Sequence, residues 1–289
     1  MRGAEFVAGG KFFRVCQSCL VVVRRELVVN SLVVGHMLLA SSLVGLDPPG
    51  ASGWCSSCGR PHSLPRTAQA EVEALSLLRR IEQSGRFDFT AAEPDPRFGL
   101  TQEQRRTGKM LGVLLCSDGT VLRAFSGMLG GTWHCPGWAP PVAGLTLEDA
   151  EPAAAFGEIV RLVARADAAA EPERGRLRRA HRERSAALSQ ALGASYVLRN
   201  ARGEEAGVLE LLRAQGVRPP GGVGDCAAPK LLTEAHRRRL VPEAIAEVWC
   251  GPPAKTRTHG SFHAACRERC EPIMGFLLCG VPAACGADG

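Results

Sequence analysis

Apolar residues recur at helical spacing in the segment that follows Ser63. Within AQAEVEALSLLRRIEQSG they stand at Val72, Leu75, Leu77, Leu78 and Ile81. This spacing is typical of an amphipathic helix with one buried face. Gly85 follows the last apolar position, and glycine commonly follows the last residue of a helix. The pattern therefore predicts a helix that ends near Gly85.

Two apolar runs flank a turn signal farther along the chain. KMLGVLLC and TVLRAF are separated by Ser117-Asp118-Gly119, and Asp-Gly between β-rich runs is among the strongest short hairpin signals. We predict an antiparallel hairpin here. The next segment, GMLGGTWHCPGWAPP, is predicted to be irregular and to bury Trp133 and Trp138.

The last third of the chain alternates helix and strand patterns. Asp225 is predicted to cap a helix that begins at Cys226, with Pro229 in its first turn. IAEVWC has the composition of a strand, and a second helix is predicted over Glu271–Leu278. The charged residues 146–215 are predicted to be a helical insertion.

This order of elements predicts a protein of the α+β or α/β class. We expect a poorly defined N-terminal segment over residues 1–62, then the amphipathic helix and a loop over residues 63–105. The core is expected over residues 106–285, with the helical, arginine-rich insertion at about 146–215.

Residues 27–46 form an uncharged, apolar stretch that is long enough to span a bilayer. Polar residues within it weaken that interpretation. Glu5 and Glu26 are the only acidic residues before Asp47, so an organellar transit peptide is a second interpretation. Translated upstream sequence that does not fold is a third. We expect no membrane contact outside this stretch and an intracellular location, cytoplasmic or organellar.

Twelve cysteines are many for 289 residues, and their paired spacing favours metal ligands over a secreted disulfide framework. Cys16-x2-Cys19 and Cys55-x2-Cys58 frame the apolar stretch, and the second pair is followed by Gly59, as in a zinc knuckle. A structural zinc site and unrelated cysteines both stay open for these pairs. Four other cysteines are predicted to be buried small residues or free thiols: Cys116, Cys250, Cys279 and Cys285.

Cys226, Cys266 and Cys270 each stand at the predicted start of a helix. Free N–H groups and the helix dipole favour negative charge there, so thiolates form more easily at these positions. Three such thiolates brought together would bind zinc. Zinc is therefore the cofactor that the sequence suggests.

The order of these elements resembles the layout of the cytidine-deaminase-like fold, a three-layer core of a hairpin and further strands flanked by helices. The resemblance implies that Cys226, Cys266 and Cys270 are the protein ligands of zinc, with a water in the open fourth position.

Two departures from the deaminase pattern concern the chemistry. The family carries a catalytic Glu two residues after the first ligand, where this chain has Ala228, and it places two residues between the later cysteines instead of three. Asp225 is the nearest carboxylate and so the candidate catalytic residue, although its predicted capping role also explains it. Glu247 and Glu271 are further carboxylates that could approach.

Longer motifs resemble the extension that precedes the catalytic domain in a subset of RluA-type pseudouridine synthases. They are GKMLGVLLCSDGTVLRAFSGMLGGTW, RRAHRERSAALSQAL, NARGE, GVGDCAAPKLL and HGSFHAACRERCEPIMGFLL. Coverage is roughly residues 65–280, with His263-Ala264 where the family has Tyr-Pro. The resemblance implies that Ala227-Ala228 and the Cys-x3-Cys spacing belong to the family's own pattern.

The same resemblance implies what this chain lacks. The synthases use an Arg-Leu-Asp motif whose Asp attacks uridine, and here Arg176-Leu177 is followed by Arg178. We therefore expect no pseudouridine synthase activity from this chain alone.

An excess of basic residues, 35 Lys and Arg against 29 Asp and Glu, gives a net charge of +6. Arg174, Arg178 and Arg182 fall on one side of a predicted helix, and such a face can follow a nucleic-acid backbone. A solvated arginine-rich helix and a GC-rich coding bias are the alternative explanations.

Three functions follow as expectations. The first is an RNA-binding or accessory module of RNA modification, stabilised by zinc, with RNA or a separate modifying enzyme as partner. The second is a zinc-dependent nucleobase or nucleoside deaminase-like hydrolase. The third is a degenerate structural domain without metal.

Overall fold

The structure, a computed structural model, describes residues 4–8, 11–15, 49–100 and 107–284. The chain divides into two units, residues 1–47 and residues 48–289. In the first unit, strands β1 (Ala4–Ala8) and β2 (Lys11–Val15) pair antiparallel. The apolar stretch 27–46 and the predicted Cys16–Cys19 pair lie outside the described residues, as does Cys285.

The second unit is of mixed α+β type. Its strands are β3 (Pro49–Cys55), β4 (Arg60–Pro65), β5 (Lys109–Cys116), β6 (Val121–Phe125), β7 (Val197–Arg199), β8 (Glu205–Gly207), β9 (Pro242–Cys250) and β10 (Phe262–His263). Its helices are α1 (Ala68–Ser84), α2 (Ala150–Ala168), α3 (Glu173–Ser195), α4 (Val208–Ala214), α5 (Ala227–Arg237) and α6 (Glu271–Leu278). Short 3-10 helices span Pro96–Phe98 and Pro282–Ala284.

The central sheet has four strands in the order β10-β9-β5-β6, and every neighbouring pair is antiparallel. The predicted hairpin is confirmed, because β5 and β6 pair across the turn that contains Asp118 and Gly119. Both tryptophans predicted to be buried after this hairpin, Trp133 and Trp138, are buried.

Helices cover both faces of this sheet. Side chains alternate along β5 and β9, so that Val113 and Ala246 face helix α1, while Leu114 and Ile245 belong to the core shared with α5 and α6. The predicted amphipathic helix is confirmed as α1, which ends at Gly85 in the left-handed conformation. The helix predicted over Glu271–Leu278 is confirmed with the same bounds as α6.

The insertion is less uniformly helical than its sequence pattern indicates. Helices α2 and α3 pack against each other through Leu162, Ala166 and Leu177. The β7–β8 hairpin, which pairs Val197 with Gly207, interrupts the predicted helical region, because the turn at residues 200–204 reverses the chain. The prediction of an entirely helical segment was therefore wrong over residues 197–207.

The β3–β4 hairpin packs on α6 at backbone distance. An ideal Cβ on Gly275 would lie 2.2 Å from the Trp54 backbone, and one on Gly53 would lie 2.5 Å from the Gly275 nitrogen. Only hydrogen atoms fit between the two elements at this point. Residues 49–62, which the sequence placed in the poorly defined N-terminal segment, thus belong to the folded unit.

Among the helices that the structure describes, none combines the length and the apolar composition that crossing a bilayer requires.

Candidate functional site

Helix α5 begins at Ala227, directly after Cys226. The prediction that Asp225 caps this helix was wrong, since the Asp225 carboxylate instead accepts a hydrogen bond from the Tyr196 hydroxyl at 3.1 Å. The amide of Ala228 donates to Glu247 Oε1 at 2.8 Å. A carboxylate from strand β9 therefore satisfies the helix start that Asp225 was expected to satisfy.

The structure brings the Cys226 thiol near two further predicted zinc ligands, Cys266 and Cys270. Among the described residues, however, these three do not form a metal-ligating group whose atoms all lie within 4.8 Å of one another. The Cys226 thiol is hydrogen-bonded with the thiols of Cys266 and Cys270. Cys270 is the residue directly before α6, and the Cys266 carbonyl accepts from the Cys270 amide. These contacts follow from the sheet, since α5 and α6 lie on the same face of β5 and β9.

Contact between these thiols perturbs their acidity. The hydrogen bond with Cys266 lowers the pKa of Cys226, but the bond with Cys270 and burial raise that pKa further, so that the net shift is upward. The hydrogen bond from Cys226, followed by burial, raises the pKa of Cys266. Both thiols are thus protonated in the metal-free protein near neutral pH, and metal binding there would release protons.

Glu247 is the carboxylate that approaches the predicted site. Its side chain is buried on the face of β9 that contacts α5. Burial raises the pKa of Glu247 to about 8, although the hydrogen bond from the Ala228 amide opposes the shift. Glu271 lies apart in an exposed pair, with its carboxylate 3.5 Å from the Arg267 guanidinium.

The Asp225 carboxylate lies at a cavity and not beside the three thiols. An apolar cavity of about 200 Å³ is lined by residues of α2 and α3 and by Asp225 and Tyr196. Burial raises the pKa of Asp225, and the nearby Lys230 ammonium opposes this effect. The Lys230 ammonium donates to the carbonyls of Phe125 and Gly127 at 3.0 and 2.8 Å, which ties the start of α5 to the end of β6.

A second cluster of metal-ligating side chains lies at the other end of α6. The thiols of Cys55, Cys58 and Cys279 and one ring nitrogen of His62 all lie within 4.8 Å of one another. This geometry could hold a metal ion. Cys279 is buried and forms no disulfide, as the sequence predicts, but its place in this cluster was not predicted. The Cys55-x2-Cys58-Gly pattern predicts a pair of metal ligands, but nothing in the local sequence joins this pair to Cys279.

Hydrogen bonds make the thiols of this cluster unequal. Burial raises the pKa of Cys58, but hydrogen bonds from the Arg60 amide and from Cys55 and Cys279 outweigh it, and the net shift is downward. Burial and the bonds with Cys58 and Cys55 raise the pKa of Cys279 to about 12.

The three predicted RNA-binding arginines all lie on α3. Arg178 and Arg182 are exposed. Arg174 is half-buried, and its Nε donates to the Ala169 carbonyl at 2.9 Å between α2 and α3. Two of the three are therefore exposed to solvent.

No family model matches the chain, and no curated protein or solved structure is similar to it. Its function is therefore inferred from its residues and their geometry.

Proposed function

We propose that the chain is an RNA-binding accessory module of RNA modification, stabilised by zinc and built on a cytidine-deaminase-like core. The sheet order β6-β5-β9-β10, with α1 packed on one face and α5 on the other, supports this fold. The resemblance of the sequence motifs to the extension of RluA-type synthases supports the link to RNA modification. The thiol and imidazole side chains of the chain support zinc as its ion.

The exposed arginine surface of α3 carries the RNA-binding part of the proposal. Arg178 and Arg182 lie one turn apart on the same side of this helix. Other arginines of the helix pair with acids, as Arg176 does with Glu173 and Arg184 with Glu158. Guanidinium groups can fork onto phosphate oxygens, so the exposed pair suits a nucleic-acid backbone.

Replacement of Arg178 and Arg182 by Gln is expected to weaken RNA retention and its salt dependence together. Each phosphate contact to a single strand contributes about 0.7 to the slope of log affinity against log salt, so the slope should fall by about 1.4. Filter retention of labelled single-stranded RNA over a salt series measures this change.

The matched control replaces two exposed arginines away from α3, Arg79 and Arg238, with Gln. This variant has the same net charge as the α3 variant, so a general loss of positive charge would weaken both equally. Equal slopes for the two variants, or wild-type retention that is absent or insensitive to salt, would contradict the RNA proposal.

The position of Glu247 supports a second candidate function, a zinc-dependent deaminase-like hydrolase. Deaminase motifs place the catalytic Glu where this chain has Ala228, and the Glu247 carboxylate binds the amide of that residue. Zinc held by Cys226, Cys266 and Cys270 would supply an activated water, and Glu247 would carry the proton. The third expectation, a degenerate domain without metal, is the alternative that metal analysis of the purified protein tests.

In this second candidate, Glu247→Gln slows ammonia release from cytosine, cytidine or cytidine-containing RNA. The amide keeps the shape and the acceptor but cannot carry the proton, so the rate should fall by about 100-fold or more. Zinc-loaded wild-type protein is compared with this variant and with Glu243→Gln, which changes an exposed residue of the same strand. A wild-type protein that releases no ammonia, or a Glu247→Gln variant of unchanged rate, would exclude the hydrolase.

A further inference from the structure

The cluster of Cys55, Cys58, His62 and Cys279 joins two parts of the fold that are distant in sequence. Cys55 ends strand β3, Cys58 lies in the following turn and His62 lies on β4. Cys279 directly follows helix α6. Three ligands thus come from one hairpin, and the fourth comes from the helix on which that hairpin packs.

The distances fit a tetrahedral ion. With Zn–S near 2.3 Å and Zn–N near 2.05 Å, tetrahedral angles place ligand atoms about 3.6–3.8 Å apart. The four ligand atoms lie within 4.8 Å of one another, and Cys58 Sγ is 3.1 Å from His62 Nε2. Side-chain rotations that move the ligand atoms by about 1 Å would bring them to tetrahedral separations.

The surroundings orient these side chains as the outer shell of a metal site does. The Arg60 amide donates a hydrogen bond to the Cys58 thiol, and the His62 ring donates to the backbone carbonyl of Ala284. A metal-bound histidine characteristically donates its other ring N–H to such a partner. Gly59, with a positive φ of 68°, allows the tight turn that returns the chain from Cys58 to β4.

We propose that Cys55, Cys58, His62 and Cys279 form a closed zinc site that fastens the β3–β4 hairpin to the end of α6. Four protein ligands leave no open position for water or substrate, so the role of this ion is structural. The site is separate from the thiols of Cys226, Cys266 and Cys270 and does not depend on the RNA proposal.

Charge favours this ion. Three thiolates and a neutral imidazole leave one net negative charge around Zn²⁺. Arg202 lies close enough to act electrostatically on both Cys58 and His62. Its guanidinium would offset the remaining charge of the complex.

Metal analysis of the purified full chain tests the site. We expect Cys279→Ser and His62→Ala each to lose one equivalent of zinc relative to wild type, and His62→Cys to keep it, because a fourth thiolate is also a zinc ligand. Cys116→Ser, which alters a buried thiol outside the cluster, should retain the wild-type zinc content. Cys226→Ser should retain this equivalent too, which separates the site from the second thiol group.

The absorption spectrum of the cobalt-substituted protein is a second measurement, because wild type and His62→Cys report on the ligands even where Cys279→Ser or His62→Ala folds poorly. The wild-type cobalt protein should show thiolate charge-transfer and tetrahedral ligand-field bands, and His62→Cys should shift the ligand-field bands. The same zinc content in wild type, Cys279→Ser and His62→Ala would overturn the proposal. So would iron in place of zinc, a Cys55–Cys58 disulfide in the reduced preparation, or cobalt bands that His62→Cys leaves unmoved.

Discussion

Gly275→Ala should destabilise the protein by about 3 kcal/mol or more, although alanine is the better helix former. The added Cβ would lie 2.2 Å from the backbone carbon and oxygen of Trp54 and 2.5 Å from the Cys55 nitrogen. Backbone atoms cannot rotate away as a side chain can, so the β3–β4 hairpin must move off α6. Overpacking of a buried site costs about 1–3 kcal/mol, and displacement of the hairpin adds to this cost.

Gly157→Ala is the matched control because it also adds a methyl group within a helix. An ideal Cβ on Gly157 has the flexible Arg161 guanidinium as its nearest contact, at 3.4 Å. This variant should be neutral or gain up to about 1 kcal/mol from helix propensity. Urea unfolding of both variants under reducing conditions measures the two changes. A Gly275→Ala variant as stable as Gly157→Ala would mean that the hairpin does not pack on α6 at this distance.

The same glycine contact should determine whether the four ligands meet. Cys55 lies next to Trp54 on the hairpin, and Cys279 follows the helix that contains Gly275. A hairpin shifted away from α6 would carry Cys55 and Cys58 away from Cys279. The backbone contact and the candidate zinc site therefore stabilise the same junction from two directions.

Local patterns in the sequence predicted the elements that lie around this junction. Helix α1, the β5–β6 hairpin and helix α6 each have a complete signal within their own residues: periodic apolar positions, an Asp-Gly turn and a proline in the first helical turn. The sequence also predicts that Cys226 and Cys270 precede helices, which they do, whereas Cys266 lies before a turn that leads to Cys270. Each of these signals involves residues that are close together in the sequence, so one sequence is enough to find them.

The features that sequence reasoning missed depend on contacts between distant residues. Cys279 is an ordinary apolar position until α6 brings its end to the β3–β4 hairpin. Asp225 looked like a cap because it precedes a helix, but Glu247 from β9 reaches the amide of Ala228 first. The order of the strands in the folded protein determines which carboxylate reaches a helix start and which cysteines meet. The residues next to Asp225 or Cys279 in the sequence do not reveal that order.

Stability should fall as the pH rises from about 5 to about 8, and Glu247→Gln should remove most of this dependence. Burial raises the pKa of Glu247 from 4.5 to about 8, so the folded protein holds this proton more tightly than the unfolded chain. The resulting stability is fully present below pH 4.5 and is lost as the pH approaches 8. A shift of this size corresponds to about 5 kcal/mol as an upper limit. Urea unfolding of the metal-free protein at pH 5 to 9 measures the slope.

Glu247→Gln keeps an oxygen acceptor for the Ala228 amide and removes the ionisation, so its advantage over wild type should grow with pH and level off above 8. Glu243→Gln, an exposed change on the same strand, should leave the wild-type slope intact. A wild-type stability that is flat between pH 5 and 8, or equal slopes in the two variants, would show that Glu247 ionises without cost. If stability falls steeply with pH in wild type and in Glu243→Gln but not in Glu247→Gln, the Glu247 carboxyl group is protonated near neutral pH beside the Cys226 and Cys266 thiols. A protonated carboxyl group can donate a proton, as the hydrolase candidate requires of Glu247. The stability measurement therefore tests this requirement without any substrate.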